Sequence, residues 1–214
     1  MTADGERAAI VSAESATFLA VADTFAGLCD RITGDRWDLP GLGEWDVRAL
    51  VGHTLRAVTT VTAYLEEPGP DAVTCRSAGE YLVRVRALGD AGARAVAERG
   101  HDAGRRLGPD PAATVRAAIT RAREVLRAVR GDPVISTVAG GMHLGDYLPT
   151  RTFELTVHGL DIAAATGMPF SPSEAALRSA LHTAVAAAAG TSGAVALLRH
   201  LLGRPGGGFE PLFG

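Results

Sequence analysis

In the stretch "RTFELTVHGLDIAAATG", residues 151–167, Glu154 and His158 stand four residues apart among apolar neighbours. The stretch reads as a helix stopped by Gly167. On a helix, positions i and i+4 project from successive turns of one face. A carboxylate and an imidazole so placed can share one metal ion, as the paired ligands of HExxH helices do. The pair alone also fits an ordinary contact on an exposed helix face. At about 100° per residue, Tyr147, Arg151, Glu154, His158 and Asp161 fall within an arc of about 80°. Leu148, Leu155 and Ile162 flank that arc on one side, Phe153, Val157 and Leu160 on the other. The opposite face is small: Thr152, Thr156, Gly159 and Ala163. A polar strip running between two apolar strips points to a lined cleft rather than a broad solvated face.

A metal reading needs a third ligand from elsewhere. His53, His101, His143, His182 and His200 are the remaining candidates. His101, between Gly100 and Asp102, suits solvent; His182 among alanines and His200 beside Arg199 suit structural or exposed roles. His143 precedes the Glu154 helix and can reach a cleft mouth. His53 is the best placed. Val47, Leu50, Val51, Thr54, Val58, Val61 and Leu65 form one stripe of its helix, and His53 lies at its border with Ala49, Arg56, Thr60 and Tyr64. Arg151 and Arg56 neighbour these positions and are candidates to clamp a carboxylate of a substrate or cofactor, which a guanidinium binds bidentately. Each is equally able to pair with a nearby acid. Asp161, one turn past His158, is a candidate acceptor orienting the imidazole. Tyr147 and Tyr64 are candidates to line the pocket.

The elements that must position these groups are helices. Apolar spacing predicts a first helix over 6–33, with Ala9, Ile10, Phe18, Leu19, Val21, Ala22, Phe25, Leu28 and Ile32 inward. Asp46 caps a second, about 47–66, that stops before Pro68. Ser77 and Glu80 form a capping box for a third, running to about 106. Asp110-Pro111 opens a fourth that ends at Gly131. "DPVISTVAGGMHL" breaks the helical period and reads as a loop with a short strand or hairpin. The Glu154 helix covers about 146–166. Ser171 and Glu174 open a sixth helix to about 189, and a seventh covers about 192–202. The glycine-rich tail "GRPGGGFEPLFG" is expected to be loosely held.

The chain has 214 residues, 47% of them hydrophobic and 21% charged, which suits a folded globular domain rather than a disordered chain. Aromatics are only 5%, so the core is expected to be Ala, Val and Leu, a composition for close-packed helices. All basic residues are arginine, and the formal net charge of −3 gives no electrostatic case for nucleic acid. Cys29 and Cys75 form no CxxC pair and read as small buried thiols. The N-terminal residues lack the basic start and apolar run of a signal peptide, and no continuous apolar run reaches 18 residues. A cytoplasmic protein with no membrane partner is the expectation.

"WDVRALVGHTL", 45–55, and "RTFELTVHGLDIAAATG" together resemble the two signature segments of the mycothiol-dependent maleylpyruvate isomerase family, a branch of the DinB-like metal-binding helical bundles. The family's ligand histidine falls on His53, and its glutamate and second histidine fall on Glu154 and His158. The resemblance implies an all-α fold: a DinB-like four-helix bundle with a long crossover over residues 1–170. Two additional C-terminal helices, in a 171–214 extension, are expected to pack on the same domain. It implies Zn²⁺, or another divalent metal, and mycothiol or a related thiol as cofactors. Two imidazoles and one carboxylate suit Zn²⁺, and three protein ligands leave a fourth position open. A thiol reaching that position loses its proton near neutral pH. The expected function is addition of a metal-activated thiolate to a small electrophilic substrate, as an isomerase or S-transferase, by a monomer or homodimer. The alternatives are thiol-independent hydrolase or lyase chemistry on the same site, or a non-catalytic metal- or ligand-binding protein.

Overall fold

The computed structural model describes residues 2–89 and 93–205. Its order is α1 (Ala3–Cys29), a 3₁₀ turn (Gly34–Asp38), α2 (Val47–Glu66), α3 (Ala78–Gly89), α4 (Ala93–Arg106), α5 (Pro111–Ala128), β1 (Val134–Thr137), β2 (Gly140–His143), α6 (Leu144–Thr166), α7 (Glu174–Ala189) and α8 (Ala194–Leu201). The fold is all-α and DinB-like, with a two-stranded hairpin as its β-structure among the described residues.

Polar caps set the helix starts. The Asp46 carboxylate accepts from the Ala49 N–H at 2.7 Å, and Asp110 accepts from Ala113 at 2.9 Å with Pro111 in the first turn. Ser77 Oγ accepts from the Glu80 N–H at 3.1 Å, while the Glu80 carboxylate reaches back to the Arg76 N–H at 2.8 Å. Gly167 ends α6 with φ 67°, a left-handed conformation that suits glycine. α7 is capped by Ser173, which accepts from the Ala176 N–H at 3.2 Å, and not by the predicted Ser171. α1 ends at Cys29 and α5 at Ala128, each a few residues short of its predicted glycine stop.

α1, α6, α2 and α5 pack in a ring, each touching the next, around a core that includes Phe18, Phe25, Leu28, Leu50, Leu148 and Leu155. Val11 is buried on α1, whereas Ile10 is 41% exposed, a local departure from the expected stripe. α1 is long and apolar enough to span a membrane by length and composition; it lies here as a bundle helix against α6 and α5. The long connection from α2 to α5 holds α3 and α4. Both lie within the stretch expected to be helical over 77–106, on either side of residues 90–92, and they serve different partners: α4 lies along α2, while α3 lies against α7 and α6. Small residues allow the α2–α4 approach. A Cβ on Gly52 would collide with the backbone of Ala103 and Gly104, and one on Gly104 would lie 2.9 Å from Ala49 Cα. Residues 90–92 and the tail beyond 205 lie outside the described residues.

The hairpin fixes the start of α6. β1 and β2 are antiparallel with Val134 opposite His143 and Thr137 opposite Gly140. The Thr74 and Cys75 N–H groups both donate to the Gly141 carbonyl at 2.9 Å, which fastens the hairpin to the crossover. Asp132 Oδ1 accepts from the Gly145 N–H at 2.9 Å. α6 is the most enclosed helix of the site. α1, α2, α3 and α7 all contact it, and Phe170 fills the space over Gly159. The small face read from the wheel is therefore as buried as the apolar flanks.

Candidate metal centre

α2 and α6 lie side by side, and their contact brings His53 to His158, with ring centroids 5.2 Å apart at 82°. Candidate ligand atoms of His53, Glu154 and His158 lie within 4.8 Å of one another. His158 Nε2 and Glu154 Oε2 are 3.2 Å apart, near the ~3.4 Å edge of a tetrahedron with metal–ligand bonds of about 2.1 Å. Two neutral imidazoles and a carboxylate are a donor set that fits a divalent metal with a fourth position left for a ligand.

The far side of His158 is also occupied. Its Nδ1 lies 3.0 Å from Asp161 Oδ2, as the i, i+3 spacing allows. With the proton on Nδ1, Asp161 accepts it and the Nε2 lone pair points to Glu154 and His53. The electrostatics follow from these contacts. Burial works to lower the His158 pKa, but the two flanking carboxylates outweigh it and hold it up at about 9. Burial pushes the Glu154 carboxyl up, and the His158 hydrogen bond with the nearby Arg151 charge reverses this to about 2. His53 is pushed down to about 4, by burial first and then by the positive charge of His158.

Arg151 is 7% exposed, one turn before Glu154. Its guanidinium carbon sits 4.9 Å from the centroid of Tyr147 and 5.2 Å from that of Tyr81, and its Nε donates to Thr150 Oγ1 at 2.9 Å. No carboxylate forms an ion pair with it among the described residues. Stacking on two rings partly compensates its desolvation. Tyr147 is fully buried, and its hydroxyl donates to Thr60 Oγ1 at 2.9 Å. It is thus a platform beneath Arg151 rather than the cleft wall expected from the wheel. Tyr64 is half-buried with its ring 5.6 Å from Tyr147. Arg56 is exposed on α2 and is not gathered into the cluster, though its charge acts on His53. His143 stands at the N-terminal end of α6, its Nδ1 3.1 Å from the Asp132 carbonyl, and is not gathered into the cluster. A surface hollow lined by Leu65, Arg121, Glu124 and Val125 contains none of these groups.

Two neighbours of the site were not legible from the motifs. Trp45 stacks on His53 with centroids 4.6 Å apart and planes at 33°. It heads the quoted segment 45–55, so its position was visible but not its contact. Tyr81 comes from α3, and no local pattern places that helix against α6.

Residues 18–163 match the family described as "Mycothiol maleylpyruvate isomerase N-terminal domain". The chain belongs to this family. The match takes in the first signature segment, residues 151–163 of the second and all three residues of the cluster, so family and geometry bear on the same side chains. No curated protein and no solved structure matches the chain.

Proposed function

We propose that this member of the mycothiol maleylpyruvate isomerase N-terminal domain family is a zinc-dependent enzyme that uses mycothiol or a related low-molecular-weight thiol. In this reading it adds the thiolate to a small electrophilic substrate, as an isomerase or an S-transferase. The observation that carries the reading is the convergence of His53, Glu154 and His158, three ligands where a closed structural site would want four. A zinc ion, when bound there, supplies Lewis acidity that lowers the pKa of a thiol at its open position.

The protein's own groups do the rest. His53, Glu154 and His158 hold the metal, and Asp161 keeps His158 in the tautomer whose Nε2 is free to ligate. Arg151, its ion-pairing capacity unused among the described residues, receives a carboxylate of the thiol or the substrate. Tyr81 and Tyr147 hold its planar guanidinium in place. Arg56 and Tyr64 lie at the rim, where they meet the outer part of a ligand. Sulfur adds to the electrophilic carbon as the π pair moves toward the activating group. Reversal after bond rotation gives an isomerase, and uptake of a proton at the resulting carbanion, with the C–S bond retained, gives a transferase. The active form is a cytoplasmic monomer or homodimer with no nucleic-acid or membrane partner. In this reading the bundle up to residue 170 and the described part of the C-terminal extension, 171–205, make one domain.

The test is turnover of small electrophiles by zinc-loaded protein with and without thiol. Turnover that needs the thiol supports the reading. Equal turnover without it replaces the reading with metal-assisted hydrolysis or elimination. Metal binding without turnover of any electrophile leaves a binding protein.

A further inference from the structure

The two histidines of the cluster are held by different means. His158 has Asp161 on its Nδ1. His53 makes no hydrogen bond among the described residues, although ligand imidazoles are ordinarily oriented by an acceptor on the second nitrogen. What touches its ring is the edge of His158 and the indole of Trp45, 4.6 Å away and inclined at 33°.

Trp45 is itself tightly placed. Its N–H donates to the Leu42 carbonyl at 3.0 Å, and its carbonyl accepts from the Gly41 N–H at 2.8 Å, closing a turn just before α2. The Val47 N–H donates to the Leu39 carbonyl at 2.9 Å, so the turn is locked to the first residue of the helix that carries His53. From the other side α4 presses Gly100 onto the indole, where a Cβ would collide with the ring nitrogen. Trp45 is 9% exposed.

We propose that Trp45 is a positioning residue for His53: the turn 41–46 and Gly100 of α4 hold the indole, and the indole holds the imidazole at the angle that points it toward Glu154 and His158. It replaces, by stacking, the acceptor that Asp161 provides for His158. The proposal rests on the metal reading of the cluster. Its geometric half, an ordered His53 ring, holds or fails without it.

The experiment compares wild type with Trp45→Phe and Trp45→Leu, each first shown by circular dichroism and melting to be folded at the assay temperature. Zn²⁺ affinity is measured by competition with a chromophoric chelator. Phe keeps a flat ring and is expected to stay within about threefold of wild type. Leu fills much of the volume without a flat face and is expected to lose about 10- to 100-fold, the usual effect of removing a group that orients a ligand. Leu binding zinc as tightly as wild type, or folded Phe falling as far as Leu, overturns the proposal. A second readout covers failure of the Leu variant to fold. In wild-type protein stripped of metal, the His53 ring protons, assigned with His53→Gln, should form one set shifted by the indole ring current. Unshifted or averaged signals overturn the proposal. If wild type takes up no zinc, the metal reading falls and this ring measurement alone decides the role of Trp45.

Discussion

His158 stands between two carboxylates, with Glu154 3.2 Å from Nε2 and Asp161 3.0 Å from Nδ1. Both lie on its own helix, so α6 alone sets the orientation of this imidazole, and α2 has only to deliver His53. Asp161→Asn tests the division of labour. An amide in place of the carboxylate weakens the acceptor and lowers the basicity of Nε2. Zinc affinity should fall by about 10- to 100-fold. Affinity equal to wild type in a chelator competition would make Asp161 a surface partner only.

Proton and metal compete for the same atoms. Without a metal, His158 holds its proton up to about pH 9, whereas His53 is neutral above about pH 4. Zinc uptake at pH 7 should therefore release about one proton, from His158, and affinity should rise with pH until about 9. The two histidines act on stability with opposite signs. The raised His158 pKa contributes stability that is fully present below its unfolded value of about 6.5 and is lost as pH rises through about 9. The lowered His53 pKa costs stability as pH falls from about 6.5 toward 4, since the unfolded chain takes up that proton first. The depressed Glu154 pKa contributes stability present above about 4.5 and lost as pH falls through about 2. Melting temperatures of chelator-treated protein should peak near pH 6.5 and fall on both sides. In His158→Gln the alkaline arm should flatten; an unchanged arm would assign the loss to another group.

Much of this site was legible because its ligands sit on two helices whose caps and periodicity are local. Asp46 fixes where α2 begins, and hence which face carries His53. Gly167 fixes where α6 ends, and the i, i+4 spacing puts Glu154 beside His158 whatever the tertiary fold. What was not legible depends on distant pairing. α3 and α4 satisfy different partners, a demand no periodicity within 77–106 reveals. Tyr147 lay on the polar arc of the wheel but is fully buried, because α3 brings Tyr81 over it and Thr60 of α2 takes its hydroxyl. The burial of the small face of α6 depends likewise on Phe170 closing over Gly159.

The bundle should not need its metal to fold. The core that closes α1, α6, α2 and α5 is apolar and continuous, and the cluster lies at one border of it. Chelation should lower the melting temperature by mass action and leave the helical circular dichroism signal intact. Loss of cooperative unfolding on chelation would recast the cluster as a structural site.

Gly52 is one residue from His53 and takes part in the closest contact of α2 with α4. A methyl group there would meet the Ala103 carbonyl oxygen at 2.6 Å. In an exposed helix Gly→Ala stabilises by up to about 1 kcal/mol. Here overpacking against backbone should reverse the sign, with Gly52→Ala destabilising by about 1–3 kcal/mol in urea unfolding. Because α4 also seats Trp45, zinc affinity should fall in the same variant. A more stable Gly52→Ala protein would mean that α4 yields easily and does not hold the site.

Arg151 offers the sharpest separation of binding from folding. It is buried, stacked on Tyr81 and Tyr147, and joined to no carboxylate among the described residues, while Glu154 stands one turn away. A buried cation of this kind is costly unless an anion meets it at some stage of the protein's work. If a carboxylate of the thiol or substrate is that anion, Arg151→Ala should weaken ligand binding by about 1.5–3 kcal/mol, the scale of a charged hydrogen bond. Arg151→Lys should recover only part of this, since an ammonium lacks the planar fork and stacks poorly on the two tyrosine rings. Zinc content should stay near wild type in both variants, because Arg151 is not a ligand. The alternative is that Arg151 serves Glu154 alone, holding its carboxylate charged. Then the variants should lose zinc affinity, and thiol affinity should follow only through the loss of metal. Calorimetric titration with the thiol and with small carboxylates, at equal zinc loading, separates the two. Wild-type affinity for every such ligand in Arg151→Ala would remove the guanidinium from the ligand site.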